Sequence, residues 1–126
     1  MGEVDRFMRA WDKEFDVDFA VPEEILRLVA DGTLIDHSWH NDAMPSFSSS
    51  AIEKAPHDGP LDIRLWVDYP DKLKSEVYAE DEEWHRFFVS QSDETTEWYL
   101  LYFGDDVNEA VKTLLAYQVK PPVIKA

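Results

Sequence analysis

Hydrophobic side chains open the chain at helical spacing. Val4, Phe7, Met8, Trp11 and Phe15 recur every three or four residues, with Asp5, Arg6, Arg9, Asp12 and Lys13 between them. This spacing predicts an amphipathic helix with one buried stripe. The segment 16–21 (DVDFAV) breaks the pattern. Pro22 then suits the first position of a second helix, with Glu23 and Glu24 in the turn where acids favour the helix dipole. Ile25, Leu28 and Val29 form its apolar stripe, and Gly32 stands where a left-handed cap is expected.

Beyond Gly32 the period shortens to that of strands. Residues 33–40 (TLIDHSWH) and 45–50 (PSFSSS) read as the first two, followed by a loop with turn formers at Asp58, Gly59 and Pro60. Residues 61–69 alternate most cleanly. Leu61, Ile63, Leu65, Val67 and Tyr69 fall on the buried side, and Asp62, Arg64, Trp66 and Asp68 on a mostly wet one. A charged connection over 70–83 includes a short expected strand at 75–79 (SEVYA). Residues 84–91 (WHRFFVSQ) and 96–103 (TEWYLLYF) read as a hairpin closed by SDET at 92–95. Simple alternation puts Trp98 with Tyr102 on one face, and Tyr99 with Phe103 on the other. Asp106 and Glu109 fit a capping box for a last helix with an apolar stripe of Val107, Ala110, Val111, Leu114 and Leu115. Pro121 and Pro122 stop it, leaving 120–126 as a frayed or edge-paired tail.

Two helices, a run of strands joined by turns, and a final helix define an α+β class. The expected architecture is an antiparallel sheet of four to six strands with two N-terminal helices and one C-terminal helix, in a single domain over 1–126. Phe7, Trp11, Ile25, Leu28, Ile63, Leu65, Val67, Val111, Leu114 and Leu115 are expected to share one interior.

Composition narrows the chemistry. The 126 residues contain no cysteine, which excludes a disulfide scaffold, a thiol nucleophile and any Cys-ligated metal centre. The four glycines are scattered, so neither a phosphate-cradling loop nor a dinucleotide fingerprint is present. Twenty-seven acids against twelve bases give a net charge of −15. Such a chain is repelled by nucleic-acid phosphates and anionic lipid, and attracts basic proteins instead. The acids are blocky: eight against three bases in 1–24, and eight against one in 76–97. No apolar run has the length of a membrane span, and the acidic first residues lack the apolar stretch of a secretory signal. A cytoplasmic location is the expectation.

Three clusters could carry function. Asp36–Asp42 concentrates coordinating groups, and His37, His40 and Asp42 are the candidate ligands for zinc or a similar metal. Residues three apart on a strand diverge, however, so His37 and His40 share an ion only if the chain turns between them. The expected reading is one half-buried and one surface histidine, with Trp39 in the core. His57 and His85 are the remaining histidines. Ser46, Ser48, Ser49 and Ser50 lack the elbow motif of a serine nucleophile and read as solvated loop. Finally, Glu80, Asp81, Glu82 and Glu83 directly precede Trp84, without the spaced ligands of a calcium loop. With Trp66 and Trp98 as aromatic anchors, they are the candidate partner-binding residues. The sequence therefore predicts an acidic, non-enzymatic module that binds a basic protein partner (of inhibitor, immunity or nucleic-acid-mimic type) and needs no cofactor. The alternative is a small metal-dependent or acid–base enzyme centred on Asp36–Asp42.

Overall fold

The computed structural model describes residues 10–51, 61–80, 82–93 and 98–116. The expectations that fall on Phe7 and the rest of 1–9, on the turn formers at 58–60, on Asp81 and on the tail 120–126 lie outside the described residues, as does the tip of the hairpin loop. The described helices are α1 (Trp11–Glu14), α2 (Glu23–Ala30) and α3 (Val107–Ala116). Five strands separate α2 from α3: β1 (Leu34–Asp36), β2 (Ser46–Ser49), β3 (Leu61–Val67), β4 (Phe87–Asp93) and β5 (Trp98–Gly104). They pair antiparallel in chain order, β1-β2-β3-β4-β5. The fold is α+β, with two N-terminal helices and one C-terminal helix, as the change of period predicts.

One face of the sheet holds the core. Ile63, Leu65 and Val67 alternate inward on β3, opposite Phe87 and Val89 of β4 and beside Phe47 of β2. Ile25 of α2 and Ala110, Val111 and Leu114 of α3 close over them, with Trp11, Leu28 and Tyr102 packed at the margin. Burying one such aliphatic side chain contributes about 1.5–3 kcal/mol, so these positions hold the layers together. Leu115 departs from the expected interior. It lies one residue past Leu114 on the helix, which rotates it off the apolar stripe and leaves it exposed.

Several boundaries move for local reasons. Pro22 caps α2 rather than entering it: its extended backbone (ψ 147°) precedes the first turn, and its carbonyl accepts from Ile25 and Leu26. Gly32 takes the left-handed conformation expected of it, with φ 86°. The strand read over 33–40 stops at Asp36, whose carboxylate accepts from the Ser38 amide at 2.9 Å and the Trp11 amide at 2.8 Å. That side-chain bonding competes with the strand ladder and turns the chain. Trp39, expected in the core, therefore sits on the turn and is 39% exposed. No strand forms at 75–79; a 3₁₀ turn at Lys72–Lys74, capped by the Asp71 carboxylate, precedes irregular backbone.

The serine stretch forms the second strand that the sequence predicts, but its serines are not solvated: β2 lies between β1 and β3 with Ser46, Ser48 and Ser49 buried. Small hydroxyls fit between flanking strands, and they find partners. Ser38 Oγ accepts from the Ser46 amide at 3.2 Å, and Ser46 Oγ accepts from Arg64 Nη1 at 3.2 Å. No buried side-chain polar atom is left without a partner among the described residues, as buried hydroxyls require.

Candidate functional site

The acid-rich connection between β3 and β4 is anchored from below by one buried carboxylate. Simple alternation puts Asp68 on the wet side, but β3 ends at Val67 and the next residue is only 1% exposed. Its backbone amide donates to the Arg86 carbonyl at 2.8 Å. Its side chain accepts from the Tyr69 amide at 2.7 Å, from the Trp84 indole N–H at 3.0 Å and from the Ser75 hydroxyl. Three donors satisfy the carboxylate and tie both ends of 69–84 to one point. Trp84 is thus an inward anchor, and the acids before it ride on the loop that it fixes.

Arg86 holds the same region from the other side. Its Nη2 donates to the carbonyls of Phe19 and Ala20 at 2.8 Å each, and its Nε to the Asp68 carbonyl at 3.1 Å. Burial pulls its pKa down, and the nearby Asp68 charge opposes that shift. Ala20 adopts the left-handed region, φ 49°, where a residue with a Cβ is strained. The fork of Arg86 is what fastens that turn to the sheet. Nothing in the periodicity singles out Asp68 or Arg86. Their roles depend on where the strands end, and sequence reading fixes that least well.

Above these anchors lies the acidic surface. Phe19 stacks on Tyr69 with ring centroids 3.7 Å apart. The Tyr69 phenol is held above its ordinary pKa by burial first, then by Asp16, with Asp18 and Glu76 adding and Lys74 opposing. Lys74 bridges to Asp18 at 2.9 Å, and that bond raises the lysine's pKa. Glu80 and Glu82 are exposed, and the Glu82 amide closes a turn onto the Ala79 carbonyl at 3.0 Å. Glu83 turns back to His85, whose Nε2 lies 2.6 Å from it while Nδ1 lies 2.8 Å from Asp105. An imidazole with a carboxylate on each nitrogen is stabilised as the cation. The Asp105 bond is the largest cause of its raised pKa, and the Glu83 bond follows. Burial pushes the Asp105 carboxyl up, but bonds from His85 and the Arg86 amide, with the imidazolium charge, outweigh it and bring the pKa down. The clamp joins the end of the acidic loop to the turn between β5 and α3.

Among the described residues, Lys and Arg pair with carboxylates at Arg27–Glu23, Arg64–Asp42 and Lys74–Asp18. Asp12, Glu24, Glu76, Glu80, Glu82 and Glu109 are exposed besides. Among the described residues, these exposed carboxylates carry acid on the surface.

Of the two tryptophans named with the acidic block, Trp66 alone has a described side chain. Trp66 is half-buried on the sheet face away from the helices. Its indole N–H donates to Ser90 Oγ at 2.8 Å, its ring stacks on Phe88 at 6.0 Å, and the Arg64 guanidinium lies 5.7 Å above it. Trp98 pairs with Ser92 at the start of β5, and its side chain lies outside the described residues. A bulge corrects the face assignment on that strand. Val89 opposes Tyr102 but Ser90 opposes Leu100, so Leu101 is the extra residue. Tyr99 and Tyr102 consequently share the helix-covered face, and Leu100 and Phe103 the other, where strict alternation pairs Tyr99 with Phe103.

The Asp36–Asp42 cluster is drawn in separate directions. His37 is half-buried, and its amide donates to the Ser46 carbonyl at 2.9 Å. His40 is exposed, with Nδ1 3.0 Å from Glu14 Oε1. Asp42 faces Arg64 at 3.8 Å. No group of three His, Asp or Glu side chains with metal-holding geometry occurs among the described residues. No helix among them is long and apolar enough to cross a membrane. Comparison with protein-family models, with curated proteins and with solved structures finds no match to the chain.

Proposed function

We propose that the chain is a non-enzymatic interaction module that binds a basic protein partner through its acidic surface. The carrying observation is the loop over 69–84. It holds solvated carboxylates outward while Asp68, Trp84 and Arg86 fix its backbone from within. A positioned acidic surface accelerates encounter with a basic partner and suppresses acidic ones. The polar networks described are consumed in holding turns, which suits recognition better than turnover. The test is association kinetics with a basic protein captured from the native host. Neutralising Glu80, Asp81, Glu82 and Glu83 together to Gln or Asn should slow the on-rate, and high salt should do the same to the unmodified protein. If the neutralised protein gains thermal stability and associates as fast as before, the acids serve solubility alone and the reading fails.

A further inference from the structure

We propose that Glu83, His85 and Asp105 form a pH latch that withholds one carboxylate from the acidic surface and releases it when the ring loses a proton. This rests on the basic-partner reading and adds how that surface is regulated. Each member comes from a different segment. Glu83 ends the acidic loop, His85 leads into β4, and Asp105 lies in the turn between β5 and α3. Both ring nitrogens face carboxylates, Nε2 at 2.6 Å and Nδ1 at 2.8 Å. A carboxylate only accepts, so both contacts are hydrogen bonds only while both nitrogens carry hydrogen. Phe103 of β5 meets the ring nearly at right angles, with centroids 4.7 Å apart. The neighbouring Arg86 guanidinium turns to the carbonyls of Phe19, Ala20 and Asp68. Among the described residues, the charges that face the ring are therefore these two acids.

Removing one proton breaks the symmetry. The neutral imidazole keeps a single N–H, and its other nitrogen turns a lone pair towards a carboxylate. The two acids are not equally free to leave. Asp105 Oδ2 meets the ring while its Oδ1 accepts from the Arg86 amide at 3.0 Å. The Glu83 side chain is 72% exposed and rides on the loop. Water therefore takes over the Glu83 carboxylate, the Nδ1 hydrogen stays on Asp105, and the proton from Nε2 passes to solvent. Trp84, one residue on, is fixed to Asp68 at 3.0 Å, which confines the movement to the stretch before it. The surface ends with one cation fewer and one more carboxylate able to meet a basic partner. The step falls above the ordinary imidazole value of 6.5, because the bond to Asp105, and then that to Glu83, favours the cation. By reciprocity, a basic partner bound there weakens the ring's hold on its proton.

The experiment uses the full chain and a short arginine-rich peptide, blocked at both ends so that it does not itself titrate. Proton NMR follows the His85 ring together with the through-space contact between that ring and the Glu83 side chain. The contact should be present at about pH 6 and lost by about pH 9, in step with the ring, while Asp105 stays in place. Over the same range the peptide's on-rate should rise about twofold, and His85→Gln should lose most of that rise. Glu83→Gln should keep its ring contact throughout, because an amide can accept from Nε2–H or donate to the bare nitrogen. A ring that titrates with Glu83 still on it, or that releases Asp105 instead, overturns the latch. Salt-sensitive peptide binding would then leave the basic-partner reading standing. An on-rate that rises equally in His85→Gln also overturns the regulation. A peptide that fails to associate at any pH counts against the basic-partner reading, and the Glu83 contact still decides the latch.

Discussion

Replacing His85 with Gln removes a cation held between two carboxylates, and its effect follows from the geometry. Nδ1 and Nε2 each lie within 2.8 Å of an acid, but the Asp105 and Glu83 side chains are largely solvated. Exposed ion pairs contribute about 0.2–1 kcal/mol each, so His85→Gln should cost roughly 0.5–2 kcal/mol at its maximum. At this chain length that is a fall in Tm of roughly 3–5 °C per kcal/mol. The pH window follows from the direction of each shift. His85 has a folded pKa raised above its ordinary 6.5, so its contribution is complete below that value and fades as pH rises through the folded one. Asp105 is lowered from 3.8, so its contribution is complete above that value and fades in stronger acid. The clamp is therefore fully formed in mildly acid solution. Thermal unfolding of the unmodified and His85→Gln proteins, followed by circular dichroism across pH, should show the largest gap near pH 5–6. Moderate salt should narrow it. A gap that is constant with pH, or that widens towards alkaline pH, would refute the ion-clamp reasoning.

Two further substitutions probe the elements beneath the acidic loop. Arg86→Lys keeps the charge but not the fork that reaches three carbonyls, so chemical denaturation should show a loss of about 1.5–3 kcal/mol, with exchange protection lost first around Ala20. Gly104→Ala would set a methyl group against the Tyr102 phenol, 2.7 Å from its Cζ. Because that hydroxyl also accepts from the Asp106 amide at 3.1 Å, a displaced ring would loosen the start of α3. The expected cost is about 1–3 kcal/mol by urea unfolding.

The parts of this fold that were legible in the sequence are those that depend on period. Ile25 on α2, the inward triplet Ile63, Leu65 and Val67, and the stripe Ala110, Val111 and Leu114 all follow from spacing. So does the cap at Asp106, whose Oδ1 accepts from the Asn108 and Glu109 amides at 2.9 and 3.3 Å. Spacing carries no information about how far an element extends. Asp36 ended its strand by bonding back to Ser38, Asp68 became buried because β3 stopped one residue before it, and a single bulge exchanged the faces on β5. The buried serines of β2 escaped notice because small polar residues give no hydrophobic signal, though they fit a central strand when every hydroxyl has a partner. The acidic surface was visible as composition alone. What holds it in place was not, because Asp68, Trp84 and Arg86 come together only once the strand ends are set.

The strictly consecutive order of the strands bears on how the chain folds. In a meander each strand needs only its neighbour in sequence, so the sheet can grow by successive pairings, of which β3 with β4 closes the longest connection. Such a topology belongs with the faster-folding sheet proteins at a given size. The step that spans the chain is the meeting of α2 with α3 across the finished inner face, joining Ile25 to Leu114 in one core. Hairpin pairing is therefore expected early and helix docking late. Mutations on α3 should then accelerate unfolding more than they slow folding.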